Sequence, residues 1–440
     1  MQETDSYFHP IEEKPNPGHI NSWYAASANR HTDYPALAGE QTADVCVLGS
    51  GTTGISAALF LAEKGYSVIV LESEKIGWGA SGRNGGQFII GFSCSMSKIK
   101  SLVGESDAKI LFDQTYESIN LVKNLVREHK ISCDLREGQL TVGYPKKRHD
   151  EEIKGMITEF EKLNFGQHVR FLDNRELKNY VGSDVYGCGI RDSFSGHLHP
   201  LNFTLGLAEA AEKKNVRFFE KSEIKDVQSN QNGVVVKTAN GSVKAKNAIL
   251  AGNAYLKGFS PLTSRIMPVG TYIAATEPLS EEECRSLIPE ASAIADINFV
   301  LDYYRLSSNR RMLFGGRVSY SGIDPISIRN SIRSRMVSVF PQLKTKKIDY
   351  SWGGNVAVTM NRAPHFGKLK KNIYFAQGFS GHGVSLTVQA GKLLSEVVAG
   401  EDSKFALFEK IKHMPFPGGT LLRKPSLVLG MLYYRIRDLL

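Results

Sequence analysis

One stretch limits the possible folds more than any other. Residues 44–54 read Asp-Val-Cys-Val-Leu-Gly-Ser-Gly-Thr-Thr-Gly. Residues 55–65 read Ile-Ser-Ala-Ala-Leu-Phe-Leu-Ala-Glu-Lys-Gly, and 66–72 read Tyr-Ser-Val-Ile-Val-Leu-Glu. Residues 44–48 are a short apolar run of strand type, Ile55, Ala58, Leu59 and Ala62 recur at helical spacing, and 67–71 are a second strand-like run closed by an acid. Strand, glycine turn, helix and strand in that order predict half of a dinucleotide-binding fold. Gly49 permits the tight turn, Gly51 lets backbone N–H groups approach a pyrophosphate, and Gly54 lets the helix pack close to the sheet. Ser50 and Thr53 sit among them at a helix N-terminus, whose free N–H groups and partial positive charge suit phosphate. Glu72, with Ser73 beside it, ends the second strand, where a carboxylate accepts from ribose hydroxyls. The same charge repels a 2′-phosphate and argues against NADP.

Two more glycine turns follow. Residues 77–87, Gly-Trp-Gly-Ala-Ser-Gly-Arg-Asn-Gly-Gly-Gln, carry five glycines in eleven positions directly after the ribose-binding strand. Such a loop can wrap a polar ligand in backbone N–H groups, through Gly79, Ala80, Ser81, Arg83, Asn84, Gly85, Gly86 and Gln87. The alternative is a plain surface loop. Residues 373–383, Ile-Tyr-Phe-Ala-Gln-Gly-Phe-Ser-Gly-His-Gly, give a strand and a turn opening a helix at 384–398, with Gly378, Gly381, His382, Gly383 and Val384 as candidates. Between them, residues 223–248 read as a strand meander containing Ile224 and leading into a short apolar strand, 248–252, that ends at Ala251 and Gly252.

The rest of the chain supports two kinds of structure. Residues 1–43 read as an irregular arm anchored by Trp23, Tyr24 and Tyr34. Helices are expected at 106–130, 150–163, 200–214 and 327–340, the last one basic. Strands are expected at 138–144, 272–276, 299–306 and 312–317. The last three, with a turn at 307–310, predict a second domain built on an antiparallel sheet. The net charge of +9 is compatible with anionic surfaces or substrates, or with solubility alone, and no basic run with interleaved aromatics suggests nucleic-acid binding. The five cysteines, Cys46, Cys94, Cys133, Cys188 and Cys284, are widely spaced, which argues against a disulfide framework or a zinc site and for a reducing compartment. Residues 1–17 lack an apolar core of signal-peptide type, and no window is apolar enough to span a membrane, so the expectation is a cytoplasmic protein with no bound metal.

These motifs together resemble the FAD-dependent D-amino-acid oxidase superfamily, in its sarcosine and glycine oxidase branch. The stretches 21–25, 32–39, 275–279, 313–317 and 416–419 are similar to those of the γ-glutamylputrescine oxidases of bacterial putrescine catabolism. The resemblance implies a Rossmann-like α/β domain for FAD, assembled from 44–95, 195–255 and 351–400. It also implies a substrate domain from 96–194 and 256–350, with 401–440 as a tail. It implies oxidative deamination, in which the amine carbon gives a hydride to flavin N5, water hydrolyses the imine to aldehyde and ammonia, and oxygen reoxidises the flavin to hydrogen peroxide. Residues 352–364, where some relatives tether flavin through cysteine, contain none, so non-covalent FAD is expected. The alternatives are an oxidase or dehydrogenase of a secondary amine or amino acid such as sarcosine, glycine or a D-amino acid, or a flavin-binding redox regulator. The partners expected are the amine and oxygen, in a monomer or homodimer.

No catalytic base is evident. His382 and Gln87 are candidates for contact with flavin or substrate. Tyr303, Tyr304, Arg305 and Trp352 are candidates for the pocket wall, with Tyr303 and Arg305 on one face of their strand and Tyr304 on the other. Arg305 or Arg317 could pair a substrate carboxylate, against the alternative of surface arginine. His197 and His199 read as structural caps. The apolar tail 426–440, with Arg435 and Arg437, reads as packed on the body or as an amphipathic helix at a membrane or partner.

Overall fold

The computed structural model describes residues 7–14, 16–298, 300–319, 328–419 and 425. The fold is mixed α/β, built on two sheets. In the eight-stranded sheet the order is His365–Lys370, Ile373–Gln377, Gly241–Leu250, Gly39–Leu48, Val68–Leu71, Arg217–Phe219, and all neighbours but the first pair run parallel. The strands Asp226–Asn230 and Gly233–Lys237 form a hairpin against Gly241–Leu250. Apolar runs such as Val68–Leu71, buried at every residue, fit a parallel sheet covered on both faces. The helix Gly383–Val398 crosses Thr52–Glu63 so closely that a Cβ on Gly391 would lie 2.7 Å from Ala57 N.

The nine-stranded sheet runs Ile348–Val358, Met267–Thr276, Met312–Ser319, Tyr303–Leu306, Ala293–Asp296, Arg136–Gly143, Cys188–His197, Gln87–Phe88, with Val169–Leu172 added beside Cys188–His197. It is antiparallel except for the pair Ala293–Asp296 with Arg136–Gly143. Its two faces enter different cores. Ile273, Ala275, Leu313 and Trp352 join the large core shared with the Thr52–Glu63 and Gly383–Val398 helices. Tyr272, Ala274, Tyr304 and Phe314 pack with Ile332 and Met336 of the helix Ile328–Val339.

Several sequence expectations change. The arm is not wholly irregular: Trp23–Ala26 is a short helix, its N-terminus capped by the Ser22 hydroxyl, and the first strand already begins at Gly39. Trp23 and Tyr24 are fully buried, with both rings against His199 and Tyr24 also against Trp352. Residues 241–250 are one continuous strand, since parallel pairing to Gly39–Leu48 extends through Gly241. The strand expected at 299–306 starts only at Tyr303. Asp296 accepts from Asn298 N at 3.0 Å and bends the chain there, and residue 299 lies outside the described residues. Residues 87–88, 195–197 and 351–358, expected in the FAD domain, pair in the second sheet. The tail 426–440 and the side chain of Arg317 lie outside the described residues. No described helix is long and apolar enough to cross a membrane.

Candidate functional site

A cavity of about 590 Å³ opens at the carboxyl ends of the parallel strands Gly39–Leu48, Val68–Leu71 and Gly241–Leu250. This is where open α/β sheets bind ligands. Gly49, with φ +107°, turns the chain out of its strand, and a Cβ there would lie 3.0 Å from Ala251 O. Gly51 is the N-cap of Thr52–Glu63 with no capping side chain, so the helix end stays open apart from Thr52 N–H, which donates to Ser81 Oγ at 2.9 Å. A Cβ on Gly54 would overlap Gly49 O, so glycine is required for the helix to meet the turn.

Of the cofactor candidates, Gly49, Gly51, Thr53, Glu72, Ser73, Gly79, Ala80, Ser81, Asn84, Ile224, Ala251, Gly252, Gly381, Gly383 and Val384 line this one cavity. Glu72 accepts from Ser50 N at 2.8 Å and Ser50 Oγ at 2.7 Å through one oxygen, and from Glu74 N at 3.0 Å through the other. Ser50 is fully buried beneath the wall and orients this carboxylate. Gly54, Gly85, Gly86 and Gly378 also lie behind the lining. They permit close approach there, of Arg305 at Gly86 and Thr359 at Gly378. The sequence reading missed Trp78, Tyr255 and Asn355 on the lining. Trp78 and Tyr255 meet edge to face with centroids 5.7 Å apart. Trp78 sits within the glycine loop and was the one legible signal.

Arg83 lies over the Trp78 ring, 3.9 Å from its centroid, and donates from Nε to Trp78 O at 2.7 Å. Its Nη2 is buried without a partner among the described residues, and burial pushes its pKa down. Arg83 stands behind the lining, so its cation favours a bound anionic group through its field and not by contact. The uncapped helix ends at Gly51 and His382 fit the same group, so the donor set suits a phosphate-bearing flavin dinucleotide.

The substrate-side candidates separate. Tyr303 is wedged between Gly315 and Gly85, whose added Cβ would lie 2.8 Å from its ring, so it sits where the loop meets the second sheet. Its hydroxyl pKa is raised by burial. Tyr304 faces the opposite side, stacks on Phe314 at 5.2 Å and donates to Tyr186 OH at 3.1 Å. It is a core residue and not a pocket wall, because strand alternation points it at the Ile328–Val339 helix. Arg305 is neither a surface residue nor open to a substrate carboxylate. It is 2% exposed and donates to Gly85 O at 2.8 Å, Leu198 O at 3.0 Å and Tyr24 OH at 3.1 Å, bracing the glycine loop from behind. Trp352 is buried and donates to Arg83 O at 3.0 Å, fixing that loop instead of walling a pocket.

Gln87 donates to Ile294 O at 3.2 Å, which ties the loop to the second sheet. His382 begins the Gly383–Val398 helix, and burial, then the nearby Arg362 cation, lower its pKa to about 4, so its imidazole is neutral near pH 7. His199 is an N-cap whose Nδ1 accepts from Asn202 N at 3.1 Å, and the buried His197 bonds Ala291 O through Nε2 at 2.8 Å. Both are structural. Among the described residues all five cysteines are free. One trio of metal-type side chains, Glu63, Glu128 and His129, comes together away from the cavity lining with both carboxylates exposed, an arrangement common without an ion.

With this geometry the chain belongs to the FAD dependent oxidoreductase family (DAO), whose pattern matches residues 44–397. It is 41% identical over 426 residues to the gamma-glutamylputrescine oxidoreductase of Escherichia coli (strain K12), covering 96% of this chain and 98% of that one. It is 42% identical to the probable oxidoreductase OrdL of Haemophilus influenzae over 96% and 97% of the two chains. In fold it is similar to glycine oxidase from Bacillus cereus, with a TM-score of 0.70 and 20% identity over 84% of this chain and 99% of that one. L-proline dehydrogenase from P.horikoshii has a TM-score of 0.68 and 21% identity over 85% and 98%.

Proposed function

We propose that this protein is a FAD-dependent amine oxidase that converts γ-glutamylputrescine, or a primary amine like it, to an aldehyde, ammonia and hydrogen peroxide. The observation that carries the reading is its full-length likeness to the Escherichia coli γ-glutamylputrescine oxidoreductase. The division into a three-piece FAD domain and a substrate domain is part of this reading. Gly49, Gly51 and Thr53 receive the pyrophosphate at the open helix end, and Glu72 receives ribose hydroxyls. Gly381, Gly383 and Val384 would hold the flavin end of FAD at the N-terminus of the Gly383–Val398 helix, where the dipole favours negative charge. FAD, when bound, would supply the redox chemistry.

The chain's own residues then orient the amine and remove its proton. His382, neutral at pH 7, is the candidate to contact flavin or substrate as a hydrogen-bond partner, and Tyr303 is the candidate wall between loop and sheet. FAD is held without a covalent bond, since no cysteine stands in 352–364 or on the cavity lining. Denaturation and filtration should therefore release the yellow colour, and colour retained on the protein contradicts this point.

Peroxide release across a panel of amines tests the substrate. The fold neighbours favour one second reading, an oxidase or dehydrogenase of a secondary amine or amino acid, because one is named an oxidase and another a dehydrogenase. A dehydrogenase bleaches its flavin with substrate yet consumes little oxygen. The protein acts as a monomer or homodimer in the cytoplasm, and its mass in solution checks the first point.

A further inference from the structure

A second cavity, of about 710 Å³, lies between the helix Ile328–Val339 and the start of the strand Ile348–Val358. It shares no lining residue with the cofactor cavity. Its lining is Arg329, Asn330, Arg333, Thr345, Lys346, Lys347, Ile348, Asp349 and Tyr350. Residues 329–347 carry six basic side chains, Arg329, Arg333, Arg335, Lys344, Lys346 and Lys347, and no acidic one, within a chain whose net charge is +9. Charge this concentrated raises the local potential far more than the same charge dispersed, and a concave wall focuses it further.

The acids nearby neutralise only part of it. Asp349 lines the cleft and shares Arg311, at 2.6 Å, with Glu13, at 2.7 Å, so this group leaves one negative charge at the edge of the cleft, and Tyr350 donates to Glu13 at 2.6 Å. Arg335 pairs with Asp302 at 2.7 Å and Lys346 with Glu283 at 2.6 Å. Arg333 is held by Lys344 O, a neutral acceptor. Arg329 and Lys347, both exposed, have no acidic partner among the described residues. Arg329 and Arg333 stand one helical turn apart, so their guanidinium groups project from one side of the helix. They lie in the helix's N-terminal half, where the dipole adds to the positive charge. Planar guanidinium forks pair tetrahedral oxyanions through two parallel bonds.

We propose that this cleft binds a small, multiply charged anion of the phosphate class. Its volume is that of a small-molecule site, it opens widely to solvent, and its free groups are donors. Binding here does not depend on the amine oxidase reading, and the site is separate from the flavin.

The test is calorimetric titration of the full-length, FAD-loaded protein, so that the cofactor site is already filled. Inorganic pyrophosphate and ATP are the two probes. Both should bind at low salt and weaken as salt rises. Equal affinity means the phosphates alone are read, and tighter ATP means the nucleoside also seats in the cleft; either outcome supports the site. The double charge reversal Arg329→Glu with Lys347→Glu changes two exposed side chains and should weaken both probes about 10-fold or more, with flavin content and melting temperature unchanged. Failure of both probes to bind, or unchanged affinity in the double variant, overturns the proposal. So does a polyglutamate chain that outcompetes both, which would assign the cleft to an acidic protein surface.

Discussion

The two sheets prepare for ligands in different ways. The parallel sheet offers backbone: a turn at Gly49, an open helix end at Gly51 and a second turn at Gly381–Gly383, all on one cavity. The antiparallel sheet offers side chains, Tyr303, Arg305 and Trp352, and two of these three turn out to hold the first region's loop in place. Backbone recognition leaves a signature in sequence because only glycine permits it. Side-chain support leaves none, since the same tyrosine or arginine serves a core, a brace or a pocket.

The largest expected effect breaks the backbone side of this contrast. Gly54→Val places a branched side chain against Gly49 O and 3.1 Å from Val47 Cγ1, so the protein should lose more than about 4 kcal/mol of stability or fail to bind FAD. Denaturant unfolding and flavin absorbance read both. Next, Arg305→Met removes donors to Gly85 O, Leu198 O and Tyr24 OH inside the core. It should cost about 3 kcal/mol and weaken FAD retention, although Arg305 is no part of the cavity lining. Unchanged FAD affinity would show that the second sheet does not brace the loop.

The pH dependence should also separate the regions. Asp296, buried beside Asp302 on the far face of the second sheet, has a pKa raised from 3.8 to about 7 by burial first. Its folded state keeps a proton that the unfolded state loses, so this group's contribution to stability falls as pH rises from about 4 through 7. Asp296→Asn should remove that loss and stabilise the protein by about 1–3 kcal/mol at pH 8, with little change at pH 4. In the first region, burial holds His365 near 3, and His382 and His413 near 4, below the ordinary 6.5. These groups resist protonation when folded, so their share of stability is present above 6.5 and lost as pH falls toward 4. Melting curves across pH should show both trends, and a shallower acid limb in the paired His365→Gln, His413→Gln variant measures the share of those two groups. The smallest effect on stability is expected from Tyr303→Phe, about 1 kcal/mol or less, with a change in KM for the amine that sharpens whether the side-chain region touches substrate.

Much of the architecture was legible. The turn–helix unit at 49–63, the closing acid at 72 and the helix opening after Gly381 could be read because spacing and glycine fix them. The burial of Arg305 was not legible, because it depends on carbonyl oxygens 107 and 220 residues away in the chain. Nor was the role of Trp78, whose ring meets Tyr255, a residue far along the chain. The sequence pattern divides 241–250 into two pieces, because the parallel pairing to Gly39–Leu48 that makes it one strand leaves no local signal.

Anaerobic mixing of the FAD-loaded protein with γ-glutamylputrescine tests the central claim most directly. The account predicts that the blue absorption band of the flavin bleaches within seconds and returns, with peroxide, when oxygen is admitted. A band that stays unchanged with γ-glutamylputrescine would contradict it.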